Sequence, residues 1–259
     1  MKRFVTILSA MLLAAILILT SCRTKTYLPT QADIRADFIR ALADAQQPNE
    51  QKVSHTLMPV REDDPALEWI DVDGRKMVLM CKMIDQPSLS IYANTDTFRL
   101  PAKNGYWVSL PADWKRRADL FEGLDSVASR FRMVQMLGLW PECDYDMVVE
   151  FYVDAASLFR PSYDPSITTT TSPSTFPDWA DENYTVGDTN FRQWFARQQQ
   201  SAYLGEKACP WAQLGYSYDW HHGAPREGIS EYIAVHGALM KVKTREGAWT
   251  FIKKLKKRR

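Results

Sequence analysis

The chain has 259 residues, 46% of them hydrophobic and 24% charged, the composition of an ordinary globular protein rather than a disordered or fibrous one. Its net charge of +1 hides an asymmetry. The last seven residues, Lys253 to Arg259, carry six positive charges, so the chain without them stands at −5 (+1 less six), and without Lys2 and Arg3 as well at −7. A mildly acidic body thus ends in a basic tail, and no nucleic-acid partner is expected. Such a tail suits anionic headgroups, at roughly 1 kcal/mol per basic residue near the surface, or else is a solvated helix end.

The chain opens with two basic residues (Lys2, Arg3), an apolar run from Met11 to Leu19, and then Leu19-Thr20-Ser21-Cys22. The run is too short for a comfortable bilayer span, and small residues precede the cysteine, as a secretory peptidase requires. This pattern resembles the lipobox of bacterial lipoproteins; an ordinary signal peptide is the simpler alternative. The resemblance implies that residues 1–21 are removed, that the Cys22 sulfur carries a diacylglycerol, and that palmitate or similar acyl chains hold the protein to the membrane. At ~0.8 kcal/mol per buried methylene, several chains make a lasting anchor. In that family an aspartate after the cysteine often means inner-membrane retention. Arg23 stands there instead, implying a cell outer membrane lipoprotein, and the basic Arg23-Thr24-Lys25 implies a domain facing the periplasm.

Residues 22–32 read as a polar tether, and residues 33–252 as a single α+β domain: mainly antiparallel sheet with hairpins, covered by one long helix and two shorter ones. A helix opens at Asp33, with Ile34, Phe38, Ile39 and Leu42 at helical steps. Leu67 to Val72 and Lys76 to Ile84 read as strands around Asp73-Gly74, a pair that suits a two-residue hairpin turn. Asn104-Gly105 has the same chemistry between Thr97 to Leu100 and Tyr106 to Leu110, and Ser88 to Tyr92 reads as a further strand. The long helix is expected from Ala112 to Leu137, on the stripe Trp114, Ala118, Phe121, Leu124, Ala128 and Phe131, with Gly138 as its C-terminal cap. Tyr145 to Val153, apolar except for Glu150, reads as a central strand. The stretch 154–187 has no period, yet its aromatics Phe159, Tyr163, Phe176, Trp179 and Tyr184 imply that it packs down. A short helix follows from Asp188, and a strand pair, Leu214 to Trp220 and Ile229 to Val242, closes the domain.

Cys81, Cys143 and Cys209 remain beyond Cys22. Cys81 sits in a buried strand, so Cys143 and Cys209 are the pair expected to bond if any do. No Cys-x-x-Cys, glycine-rich phosphate loop or Gly-x-Ser-x-Gly occurs, and no cofactor is predicted.

The residues best suited to chemistry lie between Pro210 and Glu231. On a strand, Ser217, Asp219 and His221 share one face, but parallel side chains cannot form a triad. His221, His222, Glu227, Glu231 and His236 lack His-Glu-x-x-His spacing, so no metal is predicted. Asp219 and Glu231 are the candidate acid and base for glycoside cleavage, with Trp211, Tyr218 and Trp220 as a platform for sugar faces. Arg160, Trp211, Tyr218, Trp220 and His221 are the candidate ligand-binding residues. A third alternative is ADP-ribosyltransferase chemistry, in which an arginine, a polar strand and a late glutamate surround NAD, as Arg160, Thr169 and Glu231 would in this order. The expectation is a lipid-anchored envelope module that binds a protein or glycan ligand; a glycan hydrolase is the alternative. Cys22→Ala is expected to abolish radioactive palmitate labelling and membrane attachment of the full chain; an unlabelled wild type would end the lipoprotein reading.

Overall fold

The computed structural model describes residues 30–92 and 96–257; Leu19-Thr20-Ser21-Cys22, read above as resembling a lipobox, lies outside them. Among the described residues no helix is long and apolar enough to cross a membrane. By its internal contacts the chain divides at Ile34. In the first unit Thr30 and Asp33 cap the start of a helix, Thr30 N–H donating to Asp33 Oδ2 at 2.9 Å and Asp33 N–H to Thr30 Oγ1 at 3.2 Å. This helix, α1, spans Gln31–Ala45 and in the second unit buries Phe38, Ala41 and Ala45.

The second unit holds five- and three-stranded antiparallel sheets, together with two two-stranded pairs. The larger sheet contains β1 (Trp69–Val72), β2 (Arg75–Ile84), β3 (Thr97–Arg99), β5 (Met147–Asp154) and β12 (Leu239–Gly247), in the order β1-β2-β5-β12-β3. The Asp73-Gly74 turn joins β1 to β2 as expected. Both residues take positive φ, 53° and 76°, the paired left-handed geometry that matches strand twist, and Asp71 Oδ1 accepts the Gly74 N–H at 2.9 Å. β5 is central, and its apolar side chains line up with their neighbours: Val153 opposes Val78 on one side and Met240 on the other. That face, with Met80, Phe151 and Val242, forms the main core.

The smaller sheet contains β4 (Tyr106–Val108), β6 (Leu158–Phe159) and β11 (Tyr232–Ala234), with β11 in the middle. Asn104-Gly105 does not close a hairpin, because β3 pairs with β12 and β4 with β11. Gly105 does turn at φ +78°, but its task is close approach: a Cβ there would lie 2.4 Å from Ile233 Cγ2. The predicted strand Ser88 to Tyr92 is instead part of a 3-10 turn, Pro87–Tyr92.

The single long helix is corrected to three pieces, α2 (Pro111–Arg116), a 3-10 turn at Ala118–Phe121 and α3 (Ser126–Met136). Gly123, at φ +75°, breaks the run, and Asp125 restarts it by accepting the Ala128 N–H at 2.9 Å. The break rotates the buried face: Trp114, Ala118 and Phe121 are buried before it, but Ser129, Arg132, Met133 and Met136 after it. Gly138 caps α3 as expected, with Leu139 N–H donating to Val134 O and Gly138 N–H to Gln135 O.

The stretch 154–187 contributes β6 and half of a small pair, β7 (Thr185–Val186) with β8 (Thr189–Asn190). α4 (Phe191–Ser201) follows, capped by Asn190 rather than Asp188. Phe176 and Tyr163 pack at 4.9 Å from Phe195, so this long stretch is tied to α4 by aromatic contacts. The expected closing pair is partly present. β9 (Tyr216–Tyr218) does pair with β10 (Glu227–Ser230), but Ile229 to Val242 is divided among β10, β11 and β12.

Residues 253–257 of the expected basic tail belong to a helix. α5 (Ala248–Lys257) carries the chain beyond 252, with Phe251, Ile252 and Leu255 buried, Lys254 paired to Glu246 at 2.6 Å and Lys256 donating to Phe121 O at 2.6 Å. Cys81, Cys143 and Cys209 are free thiols, which corrects the expected pairing; Cys209 Sγ donates to Lys207 O instead.

The tightest backbone contact at a glycine is at Gly228, where a Cβ would fall 2.3 Å from Met136 O and 2.5 Å from Ser217 O. Gly228→Ala is therefore expected to cost about 2 kcal/mol or more, through forced backbone shifts. Gly74→Ala, with nothing within 4 Å of its Cβ but φ at +76°, should cost nearer 1 kcal/mol. Urea denaturation of the two variants checks the order; equal losses would contradict it.

Candidate functional site

The residues expected to form one surface fall into three places. Tyr218, Asp219, Trp220 and His221 line an open groove of about 730 Å³. Trp211 and Glu231 line a separate cavity of about 240 Å³. Arg160 lines neither.

Arg160 is fully buried at 0% exposure and holds its own loop together. Its guanidinium donates to the carbonyls of Ser166 (3.0 Å), Thr169 (2.9 Å) and Met58 (3.3 Å), and it lies 5.1 Å from the Tyr232 ring centroid. These bonds organise the stretch 154–187; Nη1 is buried without a partner among the described residues, but a side chain with no exposed surface is not presented to a ligand such as NAD.

The groove has few unmet groups. Asp219 is buried and grips Arg132 with both carboxylate oxygens, at 2.8 and 2.5 Å, while its Oδ1 also accepts the His221 N–H. Trp220 is 3% exposed, packs edge-on against Phe38 and Phe131, and donates to Leu139 O at 2.8 Å. Tyr218 donates to Asp44 at 2.9 Å. Burial pushes the Asp44 carboxyl up, but its bonds to Lys52 and Tyr218 and the charges of Lys52 and Arg226 outweigh that and hold it below the usual range. His221 is exposed, its pKa lowered by partial burial and by Arg132, against the pull of Asp219. Every carboxylate of this groove named here is already paired.

Glycoside cleavage requires two carboxyl groups about 5–10 Å apart across one bond. Asp219 and Glu231 line different cavities, and Asp219 has no free oxygen to act as a base. The histidines are also scattered: His222 faces Asp37 at 3.2 Å and His236 faces Asp188 at 3.1 Å. Among the described residues no group of three or more His, Cys, Asp and Glu is arranged to hold a metal.

The smaller cavity differs in being lined by Glu231, one of whose carboxyl oxygens is unpartnered among the described residues. It forms where β2 changes neighbours. β1 pairs with β2 only as far as Val78; at Cys81 the freed edge is taken by Ser109, through N–H···O bonds of 2.8 and 3.0 Å in the two directions. Lys82 is the next residue. Strand alternation puts it on the same face as Val78 and Met80, so it points toward the interior. Its amine donates to Trp107 O at 3.3 Å and lies 4.1 Å from the Tyr106 ring centroid, with no carboxylate partner among the described residues. Burial drives its pKa down from 10.5 to about 8, against a small upward pull from Cys209.

Glu231 enters the same cavity from the other side. It stands at the switch from β10 to β11, where Ser230 N–H donates to the buried Asp113 carboxylate (2.8 Å) and Glu231 N–H to Gly215 O (3.0 Å). Its Oε2 is sealed from solvent and has no hydrogen-bond partner among the described residues. Burial raises its pKa well above 4.5. The third polar group is Cys209, whose thiol is pushed up to about 12 by burial and then by Glu231. Met83, Val108, Leu137, Leu139, Trp211 and Ile229 supply apolar wall. Trp211 is 3% exposed and held by Pro161 O at 3.0 Å and by Phe195 at 4.9 Å, so it is a rigid wall rather than an open platform.

Sequence reasoning singled out Glu231 and Trp211 but missed Lys82. Its signal was present: a lysine inside Val78 to Ile84, on the apolar face of a continuous buried strand. In the sequence Cys209 stands out only as a disulfide partner. Comparison with protein families, with curated proteins and with solved structures finds no match for this chain.

A buried carboxyl with a raised pKa weakens the fold as pH rises. Above about pH 4.5 the unfolded chain releases the Glu231 proton while the folded chain retains it, so wild-type stability falls from there up to the folded pKa. Glu231→Gln cannot ionise. Its stability relative to wild type should therefore increase over the range above about pH 4.5 in urea denaturation. A difference that stays constant across that range would mean that Glu231 ionises freely.

Proposed function

We propose that this chain is a lipid-anchored protein of the bacterial outer membrane whose folded part binds a small ligand in the Lys82–Glu231 cavity. The anchor rests on Leu19-Thr20-Ser21-Cys22. The single observation that carries the binding reading is an apolar-walled cavity lined by both Lys82 and Glu231, with Glu231 Oε2 buried and without a hydrogen-bond partner among the described residues. An unmet buried polar group costs about 1–3 kcal/mol, and ligand sites combine apolar walls with a few such groups. The groove at Asp219 offers more volume, but its carboxylates are paired within the protein.

The test is a thermal-shift panel of small amines, carboxylates, amino acids and sugars on the full chain in detergent. A ligand at a hundred times its Kd adds about 2.7 kcal/mol, a shift of a few degrees for a chain of this size. Leu139→Trp, which puts bulk into the cavity, should remove the shift while keeping the fold. No shift from any compound, or the same shift in Leu139→Trp, overturns the reading.

A further inference from the structure

We propose that the cavity takes a small zwitterion, a molecule bearing both an ammonium and a carboxylate on an apolar body, with its ammonium on Glu231 and its carboxylate on Lys82. This rests on the reading of that cavity as the ligand site.

The argument is one of complementary deficits. The cavity holds one acidic and one basic side chain, and they do not pair with each other: the Lys82 amine is engaged by Trp107 O and the face of Tyr106, and Glu231 Oε2 by nothing. A basic and an acidic side chain that line one apolar-walled space without pairing are each poorly solvated, the acid held in its neutral form. A simple carboxylate would satisfy Lys82 and leave Glu231 protonated. A simple amine would satisfy Glu231 and add positive charge beside Lys82. A zwitterion supplies both counter-charges at once and leaves the ligand's own charge at zero. The apolar wall of Met83, Leu139, Trp211 and Ile229 then has a body to cover. At about 240 Å³ the cavity is of amino-acid size rather than of nucleotide or oligosaccharide size.

Binding also moves a proton. Pairing with an ammonium makes Glu231 give up the proton that burial makes it keep, so complex formation releases protons to the buffer. Lys82, at about 8, gains rather than loses protons on meeting a carboxylate, so the net release is clearest below pH 8, and the remaining titratable groups around the cavity do not supply it. Cys209 and Tyr145 are each pushed up to about 12 by burial, Cys81 and Tyr203 are raised as well, and all four stay neutral near neutral pH.

Calorimetry on the full chain in detergent tests this with four probes: leucine, ε-aminocaproate, which spaces the two charges more widely, isocaproate, which lacks the ammonium, and isoamylamine, which lacks the carboxylate. At least one of the two zwitterions is expected to bind tenfold or more tighter than both singly charged probes. Its binding enthalpy should vary with the buffer's heat of ionisation, reporting net proton release. Glu231→Gln should abolish that release, and Lys82→Met should lower the affinity for the zwitterion tenfold or more, both with an unchanged circular dichroism spectrum. Isocaproate or isoamylamine binding as well as the zwitterions would overturn the zwitterion class and leave the ligand cavity standing. No binding by any of the four would overturn the class as well, and the wider thermal-shift panel then decides separately whether the cavity takes a ligand.

Discussion

Everything at the candidate site depends on one backbone junction, the two hydrogen bonds between Cys81 and Ser109. A strand edge in a protein interior must have its N–H and C=O groups paired, and β1 leaves β2 too early to do this. The segment following β4 takes over at Cys81 and so joins the three-stranded sheet to the edge of the five-stranded one. Trp114 Nε1 donates to Ser109 Oγ at 2.9 Å, bringing α2 to the same point. Because β2 is clamped at Cys81, Lys82 has no freedom to turn outward. Register, rather than any attraction between side chains, puts its amine inside.

The opposite wall is held by charge. Asp113 on α2 accepts the Ser230 N–H, and Asp219 at the end of β9 grips Arg132 on α3. Breaking a buried pair of this kind costs about 3–5 kcal/mol, because the surviving charge is stranded. Those carboxylates are structural for the same reason that Glu231 is not: each has a guanidinium within reach, whereas no cation is bonded to Glu231. The contrast separates the acidic groups that hold the fold from the one presented to the cavity. Retaining Lys82 and Glu231 in such surroundings costs stability, and proteins concentrate costs of this sort at working sites.

Parts of this arrangement were legible in the sequence because they are local. Asp73-Gly74 specifies its hairpin through the φ angles that aspartate and glycine tolerate, Gly138 specifies a helix end, and the apolar run from Tyr145 marks a strand buried on both faces. The helix from Ala112 was misread as continuous, since a stripe of Trp114, Ala118 and Phe121 extends past Gly123 on paper, and only the positive φ there reveals the restart at Asp125. Asn104-Gly105 failed as a hairpin because turn chemistry decides that the chain reverses, not which strands it then pairs with.

The sequence by itself determined the antiparallel α+β character, the two-residue hairpin, the aromatic packing of the stretch 154–187 and the presence of Glu231 and Trp211 among the residues worth following. It also contains Leu19-Thr20-Ser21-Cys22, on which the envelope proposal rests. Only the tertiary structure decided which charged groups are spent. Asp219 and Glu231 look equivalent along the chain, as carboxylates beside aromatic strand residues, and Arg160 looks as available as Lys82. Their roles separate through contacts across long sequence distances: Arg132 with Asp219, and the carbonyls of Met58 and Thr169 with Arg160. Lys82 and Glu231 come to face one cavity because two sheets meet at Cys81 and Ser109, and pairing between distant strands leaves no trace in local composition or period.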